Sequence, residues 1–551
     1  MTINYFSSRP ALPKCDVCII GAGPLGLAVA VGCAAGGLSV LVVESGQLQP
    51  NSRTCALSDA LIVDPRVHAS MEIATCRALG GTTHYWGGRC VPYDDVDFSK
   101  DRNWPFGRDE LARWYGPAAE FLQCGRAEFS IQSAKFPNRF EAVRTDTLER
   151  WASRSDLSAV YRDDLAKSKH IFVLLGATVT QLGIPQPGNE ITEVTLTDAQ
   201  GSQTLRVRTC VIACGGLEST RLLLHAQRAR PDLLAVSKML GRTYMGHISG
   251  KIADIVLHDP TVAKEFDFQL DEGTYVRRRF TFDDSLMDNL GIKNIAFWID
   301  NPPFYDASHK SGALSAIWLT LSNRAIGQRL MSEAVRVAHL GPRPYDRLEH
   351  FRNVLKSPLK TARVLSAILR QRYVASPPKP GFIVSNTRGR YSLHYHSEHS
   401  PACASHVCLD HVADAFGLNR LRIDIKFGTE DAASVVRAHE QLDRALRKHA
   451  LGYLDYKARP GELVHRVLEQ SADGFHQIGT TRMGTVESNS VVDQNCRVHQ
   501  VKNLFVASTS VFPSSSQANP TFVGVAIAFR LANFLCAQSS GERETIWGRA
   551  T

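Results

Sequence analysis

Asp16-Val17-Cys18-Ile19-Ile20-Gly21-Ala22-Gly23-Pro24-Leu25-Gly26 decides the fold. Its first five residues read as a strand buried on both faces, its glycines as a tight turn, and Leu27 to Ala35 as the helix that follows. Gly21 permits the turn, Gly23 lets the backbone approach phosphate oxygens, and Gly26 lets helix and strand pack closely. The helix start then offers its backbone N–H groups to a pyrophosphate. Leu38 to Val43 predicts a second strand, and Glu44 at its end stands where a carboxylate accepts protons from ribose hydroxyls. This complete strand-turn-helix-strand-acid unit predicts a bound dinucleotide. The motif alone does not choose between NAD and FAD. A single copy near residue 20 of a long chain favours FAD, because a hydride acceptor for NAD would need a site of its own.

With 551 residues, 44% hydrophobic and 21% charged, the chain can bury a sizeable core and should divide into two or more lobes. Ile19 to Val43 carries no charge, yet its glycines fall on the cradle spacing, so it reads as buried strands and helix rather than as a membrane span or signal core. No cleavable leader is recognised. Thirteen cysteines sit singly in apolar runs, as at Cys18, Cys33 and Cys214, which predicts reduced core thiols in a cytoplasmic protein. Cys15 and Cys18 have CxxC spacing but no second pair, and no metal site is predicted.

Charge is concentrated in one place. Between Arg324 and Lys379 twelve Lys or Arg stand against three acids, a surplus equal to the +9 of the whole chain. Leu348, Phe351, Leu355, Leu359, Ala362, Leu365 and Leu369 recur there at helical spacing, and Ser357-Pro358 restarts the helix. The reading is a basic amphipathic excursion: a solvated helix pair on the substrate lobe, or a docking face for an acidic partner or anionic membrane surface. Nucleic acid is not expected, because stacking aromatics are sparse.

Further along, Arg77-Ala78-Leu79-Gly80-Gly81-Thr82-Thr83-His84-Tyr85-Trp86-Gly87-Gly88-Arg89 has glycines that let backbone lie flat against a planar ring. Residues 101 to 125 predict helix. Thr178 to Leu182, Ile191 to Thr197 and Gln203 to Val207 predict a three-strand meander. Cys210 to Gly216 returns as a buried strand, and Leu217 to Leu224 as a helix whose Glu218 and Arg221 would cover the adenine end of the nucleotide. From about 250 to 470 the pattern is strand-rich and ends in the amphipathic helix Ala432 to His449. Near the C-terminus come Phe475-His476-Gln477-Ile478-Gly479-Thr480-Thr481-Arg482-Met483-Gly484 and then Ala518-Asn519-Pro520-Thr521, which opens an apolar helix.

These motifs resemble the glucose-methanol-choline (GMC) oxidoreductases, FAD enzymes that oxidise alcohols, and within them the branch near pyranose 2-oxidase and bacterial sugar or glycoside dehydrogenases and oxidases. The resemblance covers most of the chain: the cradle, Leu79 to Thr83, Ala213 to Ser219, Gly241-Arg242 to His247, and the end. It implies an α/β fold. A Rossmann-like FAD-binding domain would be split over 12–98, 161–249 and 471–540, beside a helical segment or cap at 99–160. A sheet-based α+β substrate domain would span 250–470, with its basic insertion at 324–379. It implies His476 as catalytic base and Asn519 as the partner that fixes the substrate oxygen without titrating. It also implies FAD contacts from Gly21, Gly23, Pro24, Leu25, Gly26, Glu44, Ser45, Arg77, Gly80, Gly81, Thr82, Tyr85, Trp86, Gly87, Val179, Cys214, Gly215, Ser508, Pro520 and Thr521.

Pyranose 2-oxidase-like members carry a His-Trp pair after the glycine turn, and its histidine bonds to the flavin. Here Tyr85 precedes Trp86 and His84 comes one residue early, so the expectation is noncovalent FAD. His499 reads as structural. The expected reaction is oxidation of an alcohol, a sugar or glycoside hydroxyl by family branch, with oxygen, quinone or a redox protein as electron acceptor. A flavin-containing lyase, a non-sugar alcohol oxidase and a flavin-loaded subunit that needs another protein are the alternatives. Trp298, Trp318, His394, His396 and Glu398 are the expected lining of the substrate lobe.

Overall fold

The computed structural model describes residues 2–330, 339–341 and 344–540. Six short strands make one sheet in the order Ile3–Tyr5, Ile171–Leu175, Val40–Glu44, Val17–Ile20, Thr209–Ile212 and Leu504–Val506. Every neighbouring pair is parallel. The central strands are buried on both faces, which is why they read as unbroken apolar runs. The start, middle and end of the chain therefore share one sheet, in a Rossmann-like arrangement. Ile3–Tyr5 joins its edge, although the expected first part began at residue 12.

Helix Pro24–Ala35 follows the first cradle strand with proline at its start. The last helix, Thr521–Ser540, packs along it so closely that a Cβ on Gly32 would stand 2.6 Å from Ala532 Cβ. Thr521–Ser539 is long and apolar enough to cross a membrane, but 67% of it is buried inside the protein, where it serves as a core helix. The expected meander is present as Thr178–Gly183, Glu193–Asp198 and Gly201–Arg206.

A second, antiparallel sheet runs Ile295–Asp300, Arg390–Glu398, His247–Leu257 and Gly452–Tyr456. Strand alternation sorts its residues. Tyr391, Leu393 and Tyr395 enter a core shared with helices Thr429–Lys448 and Leu463–Gln470, while His394, His396 and Glu398 fall on the opposite face. Trp298 pairs directly with His394 across that sheet.

Residues 99–160 depart from the expected helical cap. Short helices at Arg108–Ala112 and Tyr115–Phe121 give way to strands Arg139–Phe140, Val143–Arg144 and Leu148–Trp151. Leu148–Trp151 pairs with Thr274–Arg278 and with Arg89–Cys90, while Tyr115 and Phe121 pack on Phe522 and Phe529 of the last helix, so this stretch joins the two parts of the molecule. Between the strands of the second sheet, helices Gly312–Ser322, Arg324–Leu330, Arg347–Leu355 and Pro358–Leu369 form the basic excursion. The charges at Arg336, Arg343 and Glu333 fall outside the described residues.

Candidate active site

The cradle opens into a cleft that encloses about 1330 Å³, its mouth included. Gly21, Gly23, Pro24, Leu25, Glu44, Ser45, Arg77, Gly81, Thr82, Val179, Cys214, Gly215, Ser508, Pro520 and Thr521 line it. Gly23 has nothing within 4 Å of where a Cβ would sit, which leaves its backbone open to a phosphate. Gly21 adopts φ +105°, and a Cβ there would meet Ala213 O at 2.5 Å. Glu44 is buried at the strand end; Oε2 accepts from Ala22 N–H and Oε1 from Gly46 N–H, both at 2.8 Å. Oε1 also accepts from Ser45 Oγ at 3.4 Å, and Oε2 keeps a second lone pair for a ribose hydroxyl. Arg77 donates to Ser45 Oγ and pairs with Glu218 at 2.5 Å, while Arg221 pairs with Asp414 at 2.7 Å, so the expected adenine end is a fixed polar wall. A helix start, an open glycine, a terminal carboxylate and this wall fit an FAD.

Five expected contacts lie elsewhere. Gly26 packs helix on strand: a Cβ there would stand 2.1 Å from Gly21 O. Gly80 turns with φ +88° against Ser158, Gly87 is exposed, and Tyr85, half exposed, bonds Cys76 at the edge of the cleft. Trp86 donates its Nε1–H to Ser155 O at 2.7 Å. His84 Nε2 bonds Leu79 O at 2.9 Å, which turns that ring back onto its own loop.

At one end of the cleft stands His476. Its Nδ1 lies 2.9 Å from Asp473 Oδ2, and Asn519 Nδ2 donates to its Nε2 at 3.0 Å. A carboxylate only accepts, so Nδ1 carries the proton and the unprotonated Nε2 accepts the Asn519 N–H. The turn Asp473-Gly474-Phe475-His476 supports this: Asp473 Oδ1 accepts the backbone N–H groups of Gly474, Phe475 and His476, and Oδ2 accepts that of His247. Burial would raise the Asp473 carboxyl, but the His476 ring and the His247 and His476 hydrogen bonds outweigh it and hold it well below the usual carboxylate range. Asn519 Oδ1 is buried with no hydrogen-bond partner among the described residues, and is left as an acceptor toward the site.

Two more imidazoles complete the wall. His247 Nε2 donates to Ser515 O at 3.1 Å and His396 Nδ1 to Gln517 O at 2.6 Å, which ties the loop before Asn519 to the second sheet. Their rings stack at 4.2 Å, and His247 meets the His476 ring edge-on at 4.6 Å. Burial pushes His247 down to about 4 and holds His396 well below the usual imidazole range, so both are neutral near pH 7.

The expected lining divides. Trp298 stacks on His394 at 4.5 Å and lies 6.3 Å from the His396 ring, and of these three His396 stands beside His476, ring centroids 5.6 Å apart. Trp318 is instead sealed in a separate small core with Leu321 and Leu340, and Glu398 is fully buried against Arg102. His499 bonds Ser490 Oγ at 2.8 Å, as a structural residue would. The reading of the sequence missed Asp473 and His247. An Asp-Gly turn three residues before a histidine was a usable signal for the first; His247 gave none, since only the sheet brings it to the turn.

A dinucleotide cleft that ends at a histidine and an asparagine, faced by a polar sheet, is the site of a flavin-dependent oxidoreductase. The chain belongs to the FAD dependent oxidoreductases, whose family model matches residues 16–291, half of its length, and its C-terminal part, residues 401–528, matches the GMC oxidoreductase model. It is an FAD enzyme acting on CH–OH groups. Paromamine 6'-oxidase of Streptomyces fradiae is 24% identical over 575 aligned residues, 94% of this chain and 90% of that protein. C-glycoside 3-oxidase of Arthrobacter globiformis is 39% identical over 123 residues, 22% of this chain and 21% of that protein. The crystal structure of pyridoxine 4-oxidase from Mesorbium loti shares the fold, with a TM-score of 0.52 and 16% identity over 96% of this chain and 100% of that one.

Proposed function

We propose that this enzyme oxidises a hydroxyl of a sugar or glycoside, with His476 as base and Asn519 as the group that holds the substrate oxygen. The Asp473–His476–Asn519 array carries the reading: Asp473 keeps the proton on Nδ1, so Nε2 is the basic nitrogen, and the Asn519 N–H it accepts is the contact a substrate hydroxyl replaces, beside an amide oxygen with no partner among the described residues. The alcohol proton passes to His476 Nε2, and the resulting imidazolium is stabilised by Asp473 at Nδ1. FAD, bound in the cleft, supplies the hydride acceptor. His394 and His396 offer a polar wall with Trp298 behind it, which suits a polyhydroxylated substrate better than an apolar alcohol. Two relatives, named as a C-glycoside 3-oxidase and a paromamine 6'-oxidase, support that substrate class, and their being oxidases favours oxygen over a quinone or redox protein as acceptor. Thirteen cysteines, none of them in a disulfide among the described residues, support a cytoplasmic setting.

Anaerobic mixing with a panel of sugars and glycosides tests this. The wild-type flavin should bleach, and His476→Ala should keep its FAD but bleach about 10² to 10⁴ times more slowly. Bleaching at the wild-type rate in that variant would refute the base. A flavin that stayed yellow with every substrate would refute the reaction. The turned-back His84 ring supports noncovalent FAD, so acid precipitation should release the flavin to the supernatant; a yellow pellet would overturn it.

A further inference from the structure

The excursion between strands Ile295–Asp300 and Arg390–Glu398 has two unlike sides. One side packs: His350 Nδ1 and Asn353 Nδ2 reach Ser315 Oγ, and Gly312 lies so close to Thr361 that a Cβ would meet Thr361 Oγ1 at 2.1 Å. The other side is bare. Leu348, Phe351 and Leu355 line one stripe of Arg347–Leu355, and Leu359, Leu369 and Tyr373 continue it along the next helix, all exposed. Exposure peaks at the junction of the two helices, 73% at Leu355 and 86% at Leu359, so the apolar surface is a ridge rather than a groove. Soluble surfaces rarely leave so many large apolar side chains together. Lys360 and Arg363 stand on the second of these helices and Lys356 and Arg370 directly follow the first and the second, and among the described residues these four form no ion pair.

We propose that this ridge docks the enzyme on an anionic lipid surface. Leucines at a convex tip can enter the boundary between headgroups and acyl chains of any bilayer, while flanking lysines and arginines reach lipid phosphates with stems lying along the apolar face. A second copy set on the same face about a two-fold axis would bring like charges together. A protein partner would need a pocket shaped to the ridge, whereas a bilayer needs none. Because the excursion leaves and rejoins the sheet that carries Trp298, His394 and His396, docking also fixes how the substrate lobe faces the membrane.

Co-sedimentation of the FAD-loaded enzyme with vesicles tests the proposal. Equimolar phosphatidylglycerol and phosphatidylcholine should bind it at least ~10-fold more tightly than phosphatidylcholine alone, and about 0.5 M NaCl should weaken the binding. Leu355→Glu/Leu359→Glu and Lys356→Glu/Lys360→Glu should each lower partition at least ~10-fold, with circular dichroism and turnover of a soluble substrate unchanged. Equal affinity for both vesicle types, absence of binding, or binding that survives both double variants would overturn the proposal. So would a concentration-dependent dimer, or capture of an acidic soluble protein, that is lost with Leu355→Glu/Leu359→Glu while vesicles go unbound.

Discussion

Asp473 spends one oxygen on three backbone N–H groups and the other on His476 Nδ1 and the His247 backbone, so its turn and the tautomer of His476 are set together. Replacing it with asparagine keeps the shape and removes the charge. Asp473→Asn is expected to retain FAD and lose about 10²-fold or more in kcat. The acid limb of its pH–rate profile should move to lower pH, because the protonated imidazole loses a neighbouring negative charge. A lower rate with an unmoved profile would mean that Asp473 only props the loop. His476 and Asn519 were legible because each sits in a local motif. Asp473 and His247 were not, since their value lies in a contact that joins the turn to a strand far upstream.

Among the elements, the cradle turn has the least tolerance. Gly26 admits no side chain, because a Cβ would stand 2.1 Å from the Gly21 carbonyl oxygen, and Gly21 itself holds φ +105°. Gly26→Ala should push helix Pro24–Ala35 off its strand at a cost of about 1–3 kcal/mol. Purified variant should show a lower ratio of flavin to protein absorbance and a lower Tm; full flavin and an unchanged Tm would argue against the packing role. Buried parallel strands and the meander were readable from hydrophobic pattern. Leu148–Trp151 was not, because Glu149 and Arg150 read as surface residues, yet Glu149 is fully buried between Arg89 and Arg277, and Arg150 pairs with Asp271 at 2.6 Å. Ion pairing between distant segments overrode the local pattern there.

Across the whole molecule, buried imidazoles govern the response to acid. Burial lowers His247, His309 and His439 to about 4 and His394 to about 3, whereas an unfolded imidazole titrates near 6.5, roughly. Below that pH the unfolded chain binds protons that the folded chain refuses, so stability present above it drains away as pH falls toward 4. Asp97, its carboxyl raised by burial to about 8, works the other way, as do Glu44, Asp284 and Glu398, but His68, His225, His339, His350, His396, His399 and His499 are lowered too, so the imidazoles outnumber them. Tm should therefore fall by about 5 °C or more between pH 6.5 and 4; a flat or rising Tm there would contradict the buried neutral histidines. By itself the sequence determined the nucleotide cradle and the buried strands that flank it, because these depend on residues close together in the chain, and it singled out His476 and Asn519 by the resemblance of their motifs. Only the tertiary structure decided which carboxylate holds His476, which imidazoles flank it and which helix face stays exposed, because those follow from segments that meet only when two sheets and an excursion have folded together.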